Sequence, residues 1–197
     1  MESVRCFVAV ELPDEVRRDI DRQTVPIRET TGRLVKWVPA QNLHITLKFL
    51  GAVPVEKLPE LYGLLEEAVS GFAPFGMEAY GTGMFPSAKS PRVLWVGLTG
   101  PGFEILRAVR DGVEEACEKA GFGRESAAFK PHATVGRIRP EGMKDRRAIA
   151  ALVEGLATLQ AHSFGMIRIE KITLMKSVLK PGGPEYSALR EILLPDG

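Results

Sequence analysis

Two short stretches of matching pattern constrain the fold of this 197-residue chain more than any other feature of its sequence. Residues 43–51 alternate apolar and polar side chains with a period of two, which predicts a strand with one buried face. That buried face is predicted to hold Leu43, Ile45, Leu47 and Phe49. The other face carries an imidazole, a hydroxyl and an ammonium group in one row, from His44, Thr46 and Lys48. A shorter version of the row recurs at His132 and Thr134.

Composition narrows the classes of protein to which this chain can belong. With 26 basic and 25 acidic residues the net charge is +1, which argues against a protein that wraps a long polyanion but allows a local phosphate site. The two cysteines, Cys6 and Cys117, stand in apolar contexts and are predicted to be buried and reduced. No apolar run reaches the length of a membrane span, so a cytoplasmic protein without membrane contact is expected. The sequence contains nothing that points beyond a monomer.

Hydrophobic periodicity predicts an alternation of strands and helices along the chain. Strands are expected at residues 4–12, 34–38, 43–51, 75–80, 92–98 and 129–138, within 164–178, and at 186–194. Helices are expected at 55–70, 102–120 and 141–160, and from Pro13 to about Pro26, where the second proline ends or kinks the helix. A loop at 81–91 and a Gly-Gly turn at 180–184 complete the order, and the last two strands are predicted to form a hairpin.

The order of these elements suggests an internal duplication. Strand, helix, His-x-Thr strand, helix and strand describe residues 4–80, and the same order describes residues 92–176. We therefore hypothesise one domain over residues 1–197, built from these two pseudo-repeats and a C-terminal hairpin. Two copies related by a pseudo-twofold axis could bring the two His-x-Thr strands to face each other across a cleft. The alternative is that any alternating chain of strands and helices shows such an order.

Two His-x-Thr strands around one small volume would supply the groups that displacement at phosphorus needs. Residues two apart in a strand point the same way, so each strand presents an imidazole beside a hydroxyl. One neutral histidine can deprotonate the attacking oxygen while one protonated histidine protonates the leaving oxygen. The hydroxyls of Thr46 and Thr134 would hydrogen-bond the non-bridging oxygens, whose charge develops in the transition state. These proton transfers require neither a metal ion nor another cofactor.

Other interpretations of the same residues compete with this one. A single His-x-Thr is weak evidence, because strand histidines often bond a backbone carbonyl. A zinc site is disfavoured because the sequence lacks spaced cysteine and histidine clusters. A serine hydrolase is disfavoured because the sequence lacks a Gly-x-Ser-x-Gly elbow. The third histidine, His162, has no threonine two places on and is predicted to be a surface or capping residue.

Several neighbours of the two rows are candidates for contact with substrate. Lys48 and Lys130 share the parity of the histidine in their own strand, so either could offset phosphate charge or be a solvated strand-end lysine. Arg137 has the parity of core-facing residues and reaches the cleft only if Gly136 permits a bulge or a twist.

Aromatic side chains beside the two rows have two interpretations. Phe129 and Trp37 are core candidates that could instead stack on a nucleobase. The charged residues that follow the second row form a modest basic patch, which fits a solvated helix start or contact with an RNA backbone. The members of that patch are Arg137, Arg139, Lys144, Arg146 and Arg147.

The two rows lie inside longer stretches that resemble a known family. Residues 37–51 resemble the first signature of the 2H phosphoesterases and, more narrowly, of the RNA 2′,3′-cyclic phosphodiesterase branch, historically called 2′-5′ RNA ligases. Residues 129–137, Phe-Lys-Pro-His-Ala-Thr-Val-Gly-Arg, resemble the second signature. Supporting matches run through most of the chain, at residues 5–10 with Pro13, 83–86, 91–97 and 183–186.

The resemblance implies a fold and an activity. It implies a bilobal, duplicated α+β fold in which two antiparallel sheets face each other across a central cleft, with helices on the outside. It implies metal-independent hydrolysis of RNA 2′,3′-cyclic phosphates to 2′-phosphomonoesters, with RNA ends or small cyclic nucleotides as partners. His44 would then be the proton donor and His132 the proton acceptor. Thr46 and Thr134 would bind the phosphate, with Arg137 as an additional contact.

Two further functions fit the same residues. The first is ATP-independent 2′-5′ RNA ligation of fragments such as tRNA halves, in which a 2′-hydroxyl replaces water as the nucleophile. The second is a nucleotide- or RNA-binding module without catalysis. The second is disfavoured because both histidines and both threonines are present.

Overall fold

The alternating apolar residues of this chain build one antiparallel sheet with helices on its outer side. The computed structural model describes residues 2–181 and 183–196, and the strands and helices below are those of these residues. The strands are β1 (Ser3–Glu11), β2 (Val35–Trp37), β3 (His44–Pro54), β4 (Phe75–Phe85), β5 (Val93–Thr99), β6 (His132–Ile138), β7 (Ser163–Ile169), β8 (Lys171–Lys180) and β9 (Gly183–Leu193). The α-helices are α1 (Asp14–Thr31), α2 (Leu58–Val69), α3 (Phe103–Lys119) and α4 (Arg146–Ala157).

The sheet consists of two halves. The strand order is β7-β4-β5-β6-β3-β1-β8-β9, and β2 pairs with β6 beside this path. The halves meet between β3 and β6, where the described residues give one paired position, Ile45 opposite Ala133. Helices α1 and α4 pack together on the β4–β7 half, while α2 and α3 pack together against β3 and β9 of the other half. The bilobal α+β fold is confirmed, but the two expected sheets are halves of one sheet.

The strand order is symmetric about the junction of β3 and β6. Strands β3, β1, β8 and β9 follow the junction on one side, and β6, β5, β4 and β7 follow it on the other. The two His-x-Thr strands are therefore the innermost strand of each half. This order supports the duplication hypothesis, and the repeat boundaries at 4–80 and 92–176 stay a prediction.

Burial separates the two faces of the sheet. The main apolar cluster lies between the sheet and the helices and includes Val8, Ile45, Leu94, Ala133 and Leu174. A second, smaller cluster of Phe7, Ala9 and Met175, with Tyr186 packed against it, lies on the opposite face. Both cysteines are buried and free, as predicted, and burial raises the pKa of Cys6 to about 11 and that of Cys117 to about 12.

Three elements differ from the sequence prediction. Helix α1 continues through Pro26 to Thr31, because Ile20 and Ile27 keep its buried stripe in place on both sides of the proline. Strand β4 extends to Phe85 past an irregular position at Gly81, whose positive φ of 67° suits glycine. Residues 164–178 contain parts of two strands, β7 and β8.

The last two strands, β8 and β9, pair as a hairpin, as predicted. Gly182, in the predicted turn, lies outside the described residues. Within the ranges that the structure covers, no helix is both long and apolar enough to cross a membrane.

Candidate active site

The single junction between the two halves brings the two His-x-Thr rows side by side. Ile45 pairs with Ala133, and both side chains are buried in the core, so their flanking residues point to the opposite face. In this antiparallel register position 44 lies across from position 134, and position 46 lies across from position 132. The two histidines therefore stand on one diagonal, about 7–8 Å apart in an ideal pair, and the two threonines on the other. The rows are neighbours at the junction where the two halves of the sheet meet.

Each histidine is held by the backbone two residues before it. His44 Nδ1 lies 2.8 Å from the carbonyl oxygen of Asn42, and His132 Nδ1 lies 2.6 Å from the carbonyl oxygen of Lys130. A carbonyl can only accept a hydrogen bond, so Nδ1 carries the proton in both rings. Nε2 is consequently the atom that gains and loses a proton in each histidine. In His44 this atom lies 3.1 Å from the hydroxyl oxygen of Thr46.

The surroundings favour the neutral form of both imidazoles. Burial is the main cause that lowers the pKa of His44, and the positive charges of Arg17 and His132 act in the same direction. The bond to Asn42 and the carboxylate of Glu11 oppose it. Burial likewise lowers the pKa of His132, and the guanidinium of Arg137 adds to this effect.

A β-bulge in β3 removes Lys48 from the polar row. Thr46 pairs with Ala9 and Lys48 pairs with Val8, which leaves Leu47 without a partner on β1. The extra residue reverses the parity of the strand beyond it. Lys48 consequently points into the core and is 2% exposed, whereas Phe49 is 60% exposed on the side of the histidines. The sequence predictions for Lys48 on the polar face and for Phe49 in the core are therefore wrong.

The buried ammonium group of Lys48 belongs to a polar network with helix α3. Lys48 Nζ donates to Glu114 Oε2 at 2.9 Å and to the carbonyl oxygen of Gly123 at 2.6 Å. Glu114 also accepts from Arg110 Nη2 at 3.0 Å and from the backbone N–H of Glu125 at 3.3 Å. The network therefore fastens the segment between α3 and β6, which leads directly to His132.

A matching bulge in β6 turns Arg137 toward the site. Thr134 pairs with Trp95 and Gly136 pairs with Leu94, which leaves Val135 without a partner on β5. As a result, Arg137 is exposed on the same face of the sheet as His132. This bulge is the condition under which the sequence analysis allowed Arg137 to reach the site. Gly136 takes the core-facing place that Lys48 has in β3, and a Cβ there would lie 2.7 Å from a methyl group of Val35.

The remaining candidates from the sequence fall on different sides of the sheet. Lys130 is exposed, with its Nζ 5.7 Å from the ring centroid of Phe85. Phe129 packs against the core under the guanidinium of Arg110, 5.4 Å from its ring centroid. Trp37 packs on the helix side under Arg28 of α1, so it does not face the histidines. Phe129 and Trp37 are thus used in packing.

The C-terminal hairpin also reaches the site, although none of its residues was among the candidates from the sequence. The Tyr186 ring lies 5.3 Å from the imidazole of His44 and 5.0 Å from the ring of Phe7. Asn42 Nδ2 donates to the carbonyl oxygen of Pro184 at 2.9 Å, which fastens the hairpin beside the same histidine. Burial raises the pKa of Tyr186, while Arg137 and Arg5 oppose this change. The sequence signal for this contact was the family resemblance of residues 183–186, which include Tyr186.

The second row has an aromatic neighbour of its own. The Phe85 ring stands edge-on to His132, with centroids 5.0 Å apart. The third histidine lies elsewhere: His162 Nε2 is 2.8 Å from a carboxylate oxygen of Asp19 in α1. Among the residues that the structure describes, no three histidine, cysteine or carboxylate side chains converge as a metal ligand set.

The pKa directions of the two histidines predict the pH dependence of any reaction that uses them as acid and base. One ring must be protonated and the other neutral, so kcat/KM is expected to follow a bell-shaped curve. Because both values lie below the usual one, the maximum is expected below about pH 6.5. The two limbs report macroscopic values of the coupled pair. Initial rates at low substrate concentration across pH 4–9 measure the curve, and a maximum above about pH 7.5 would contradict this assignment of the pKa directions.

Sequence comparisons identify proteins that this chain resembles over nearly its whole length. A family model described as LigT-like phosphoesterase matches residues 10–95 and again residues 96–186. The chain is 37% identical over 187 residues to the RNA 2′,3′-cyclic phosphodiesterase of Archaeoglobus fulgidus, with 95% of this chain and 98% of that protein aligned. It is 35% identical over 195 residues to the enzyme of the same name from Thermus thermophilus, with 97% and 90% aligned.

Solved structures of similar fold extend the comparison. A Thermus thermophilus protein superposes with a TM-score of 0.71 at 34% identity, over 98% of each chain. Escherichia coli LigT complexed with 3′-AMP superposes with a TM-score of 0.73 over 98% of this chain and 99% of LigT. The identity to LigT is 24%, so that likeness bears on the fold alone.

Proposed function

Since this chain belongs to the LigT-like phosphoesterase family, we propose that it hydrolyses 2′,3′-cyclic phosphates at RNA ends or on small nucleotides and leaves a 2′-phosphomonoester. The proposal assigns His44 as the proton donor, His132 as the proton acceptor, and no role to a metal ion. It rests on the family and on the names of relatives such as the Archaeoglobus fulgidus enzyme.

The observation that carries the proposal is the register of β3 and β6. A displacement in line at phosphorus needs a base on one side of the phosphorus atom and an acid on the opposite side. The pairing of Ile45 with Ala133 puts the two imidazoles on one diagonal and the two hydroxyls on the other. A phosphate between the four groups would then have one Nε2 atom on the side of attack and one on the side of departure.

The proposed reaction begins with water near His132. The neutral Nε2 of His132 takes a proton from the water as its oxygen forms a bond to phosphorus. The bond between phosphorus and O3′ breaks, and O3′ takes the proton from Nε2 of His44. Both rings keep their Nδ1 protons on backbone carbonyls throughout, which holds each Nε2 in place. The histidines exchange protons with solvent after the product leaves, which restores the starting state.

The charge that develops on the non-bridging oxygens needs donors that are already in place. Thr46 and Thr134 are half-buried, and each is two residues from its histidine in the strand, so little reorganisation is needed. Arg137 adds a positive charge on the same face. The buried Lys48 has no part in this step, because its ammonium group is bonded to Glu114 in the core.

The experiment that tests the proposal is hydrolysis of a 2′,3′-cyclic nucleotide in the presence of EDTA. We expect turnover at an undiminished rate in EDTA and a product with phosphate on the 2′-oxygen alone. Liquid chromatography separates the 2′- and 3′-isomers and measures both rate and product. Absence of turnover on cyclic nucleotides and on RNA with a cyclic phosphate end would overturn the proposed function. Turnover that EDTA abolishes and a divalent metal restores would overturn its metal-independent mechanism.

A further inference from the structure

A pair of exposed cations lies next to the two rows. Lys36 of β2 pairs with Arg137 of β6 in the antiparallel register, and both side chains are exposed. Cross-strand partners share one face of a sheet, with Cβ atoms about 5 Å apart. The neighbours of Lys36 in its own strand, Val35 and Trp37, pack in or against the core on the other face. Lys36 consequently stands on the face of the histidines.

Two like charges directly opposite each other destabilise a sheet. Within the part of the chain that the structure describes, neither Lys36 nor Arg137 has a carboxylate close enough for an ion pair. Many other cations on the surface do have such a partner, for example Lys171 with Glu191 and Arg190 with Glu66. An anion bound between Lys36 and Arg137 would remove the repulsion and supply the missing partner.

The position of the pair relates it to the terminal phosphate. Strand β6 passes from His132 and Thr134 at the junction to Arg137, where β2 replaces β3 as its neighbour. At about 3.3 Å per residue, the backbone distance from Thr134 to Arg137 is roughly 10 Å. Arg137 is close enough to lower the pKa of His132. The cation pair is therefore separate from the four groups of the two rows but continuous with them along one strand.

We propose that Lys36 and Arg137 form a second phosphate-binding subsite, which holds the phosphodiester that precedes the cyclic phosphate in an RNA strand. The inference rests on the proposed function and adds a specificity residue to it: Lys36 would set a preference for RNA ends over free mononucleotides. A mononucleotide 2′,3′-cyclic phosphate has one phosphorus atom and leaves this subsite empty. An RNA oligonucleotide has a backbone phosphate that fills it, and the gain in binding depends on salt because counterions are released.

The test compares two substrates on the Lys36→Ala variant, a 2′,3′-cyclic mononucleotide and a short RNA that ends in a 2′,3′-cyclic phosphate. We expect kcat/KM for the RNA to fall about fivefold at low salt, while kcat/KM for the mononucleotide changes less than twofold. The slope of log kcat/KM against log salt for the RNA is expected to shrink by about one. Lys36→Arg is expected to retain the preference for RNA.

Two comparisons make the outcome decisive. Arg18→Ala removes an exposed cation on α1 that also lacks an ion pair among the described residues, and it is expected to leave both substrates unchanged. An equal loss on both substrates in Lys36→Ala, or no loss on either, would overturn the second subsite. If the wild-type enzyme hydrolyses neither substrate, the proposed function itself fails, which is a different result from the loss of selectivity alone.

Discussion

A His132→Ala variant is expected to hydrolyse a 2′,3′-cyclic nucleotide about 10²–10⁴ times more slowly than the wild-type enzyme, and a His44→Ala variant is expected to lose a similar factor. Each variant removes the Nε2 atom on one side of the proposed phosphorus position, so either the attacking water or the leaving oxygen would lose its proton partner. The loss is expected in kcat, because the threonine hydroxyls that are proposed to bind the phosphate remain.

The double variant separates joint action from independent contributions. Groups that act in one transition state are not additive, so His44→Ala/His132→Ala is expected to be only slightly slower than the slower single variant. Initial rates at saturating substrate measure these factors. Circular dichroism and thermal unfolding of each variant check that the fold is kept.

The chain offers a matched control in its third histidine. His162 is bonded to Asp19 between α1 and β7, away from the two rows, so His162→Ala is expected to leave kcat within about twofold of wild type. A loss of less than tenfold in His44→Ala or His132→Ala would contradict acid–base roles for these rings. So would a loss in His162→Ala that equals theirs.

The second large effect concerns stability. A Lys48→Met variant is expected to be less stable than wild type by about 2–3 kcal/mol, because Glu114 keeps Arg110 but loses its fully buried counter-charge. Lys48 and Glu114 are 2% and 1% exposed, so water cannot replace the lost partner. Urea denaturation followed by circular dichroism measures the free energy of unfolding.

A second substitution distinguishes the buried charge from a packing defect. Lys48→Met/Glu114→Leu removes both charges of the pair, and Arg110 keeps the carboxylates of Asp111 and Glu125 within 4.0 Å. The double variant is therefore expected to recover part of the loss, since apolar replacements of a buried pair are often tolerated. A surface pair serves as the control: Lys171 and Glu191 lie 2.6 Å apart with exposed side chains, and Lys171→Met is expected to change stability by less than about 1 kcal/mol. A Lys48→Met variant as stable as the Lys171→Met control would contradict the buried pair.

The sequence predicted the two rows because their cause is local. Period-two alternation around Ile45 and Ala133 decides which side chains share a face, and the pairing of these two residues in the structure agrees with that prediction. The resemblance to 2H phosphoesterases at residues 37–51 and 129–137 is confirmed by the family match over both halves of the chain.

The residues that follow the two rows in β3 and β6 take faces that depend on pairing with neighbouring strands. A local sequence pattern does not show that pairing. The bulge at Leu47 exists because of the register between β3 and β1, and it exchanges the faces of Lys48 and Phe49. A corresponding bulge at Val135 was foreseen as a condition for Arg137 to face the site, since Gly136 lies beside it. Local alternation continues through Leu47 to Phe49, so the sequence does not indicate an unpaired residue there.

Long-range partners explain the other differences. The acceptor for Lys48 is a glutamate 66 residues away, and the only sequence signal was a carboxylate within the buried stripe of a helix that also holds Leu106 and Val113. Tyr186 reaches His44 through the fold of the C-terminal hairpin, which hydrophobic periodicity cannot position in space. These contacts become predictable once the strand order is known.

The central claim, that two separate His-x-Thr strands make one phosphate site, is tested most directly by nitrogen NMR of the three histidines. In protein labelled with ¹⁵N at histidine, titration with the product analogue 2′-AMP is expected to shift the Nε2 signals of His44 and His132 together, with one dissociation constant, and to leave His162 unchanged. Single substitutions of each histidine assign the three signals. A shift confined to one of the two rings, or two different dissociation constants, would contradict a shared site.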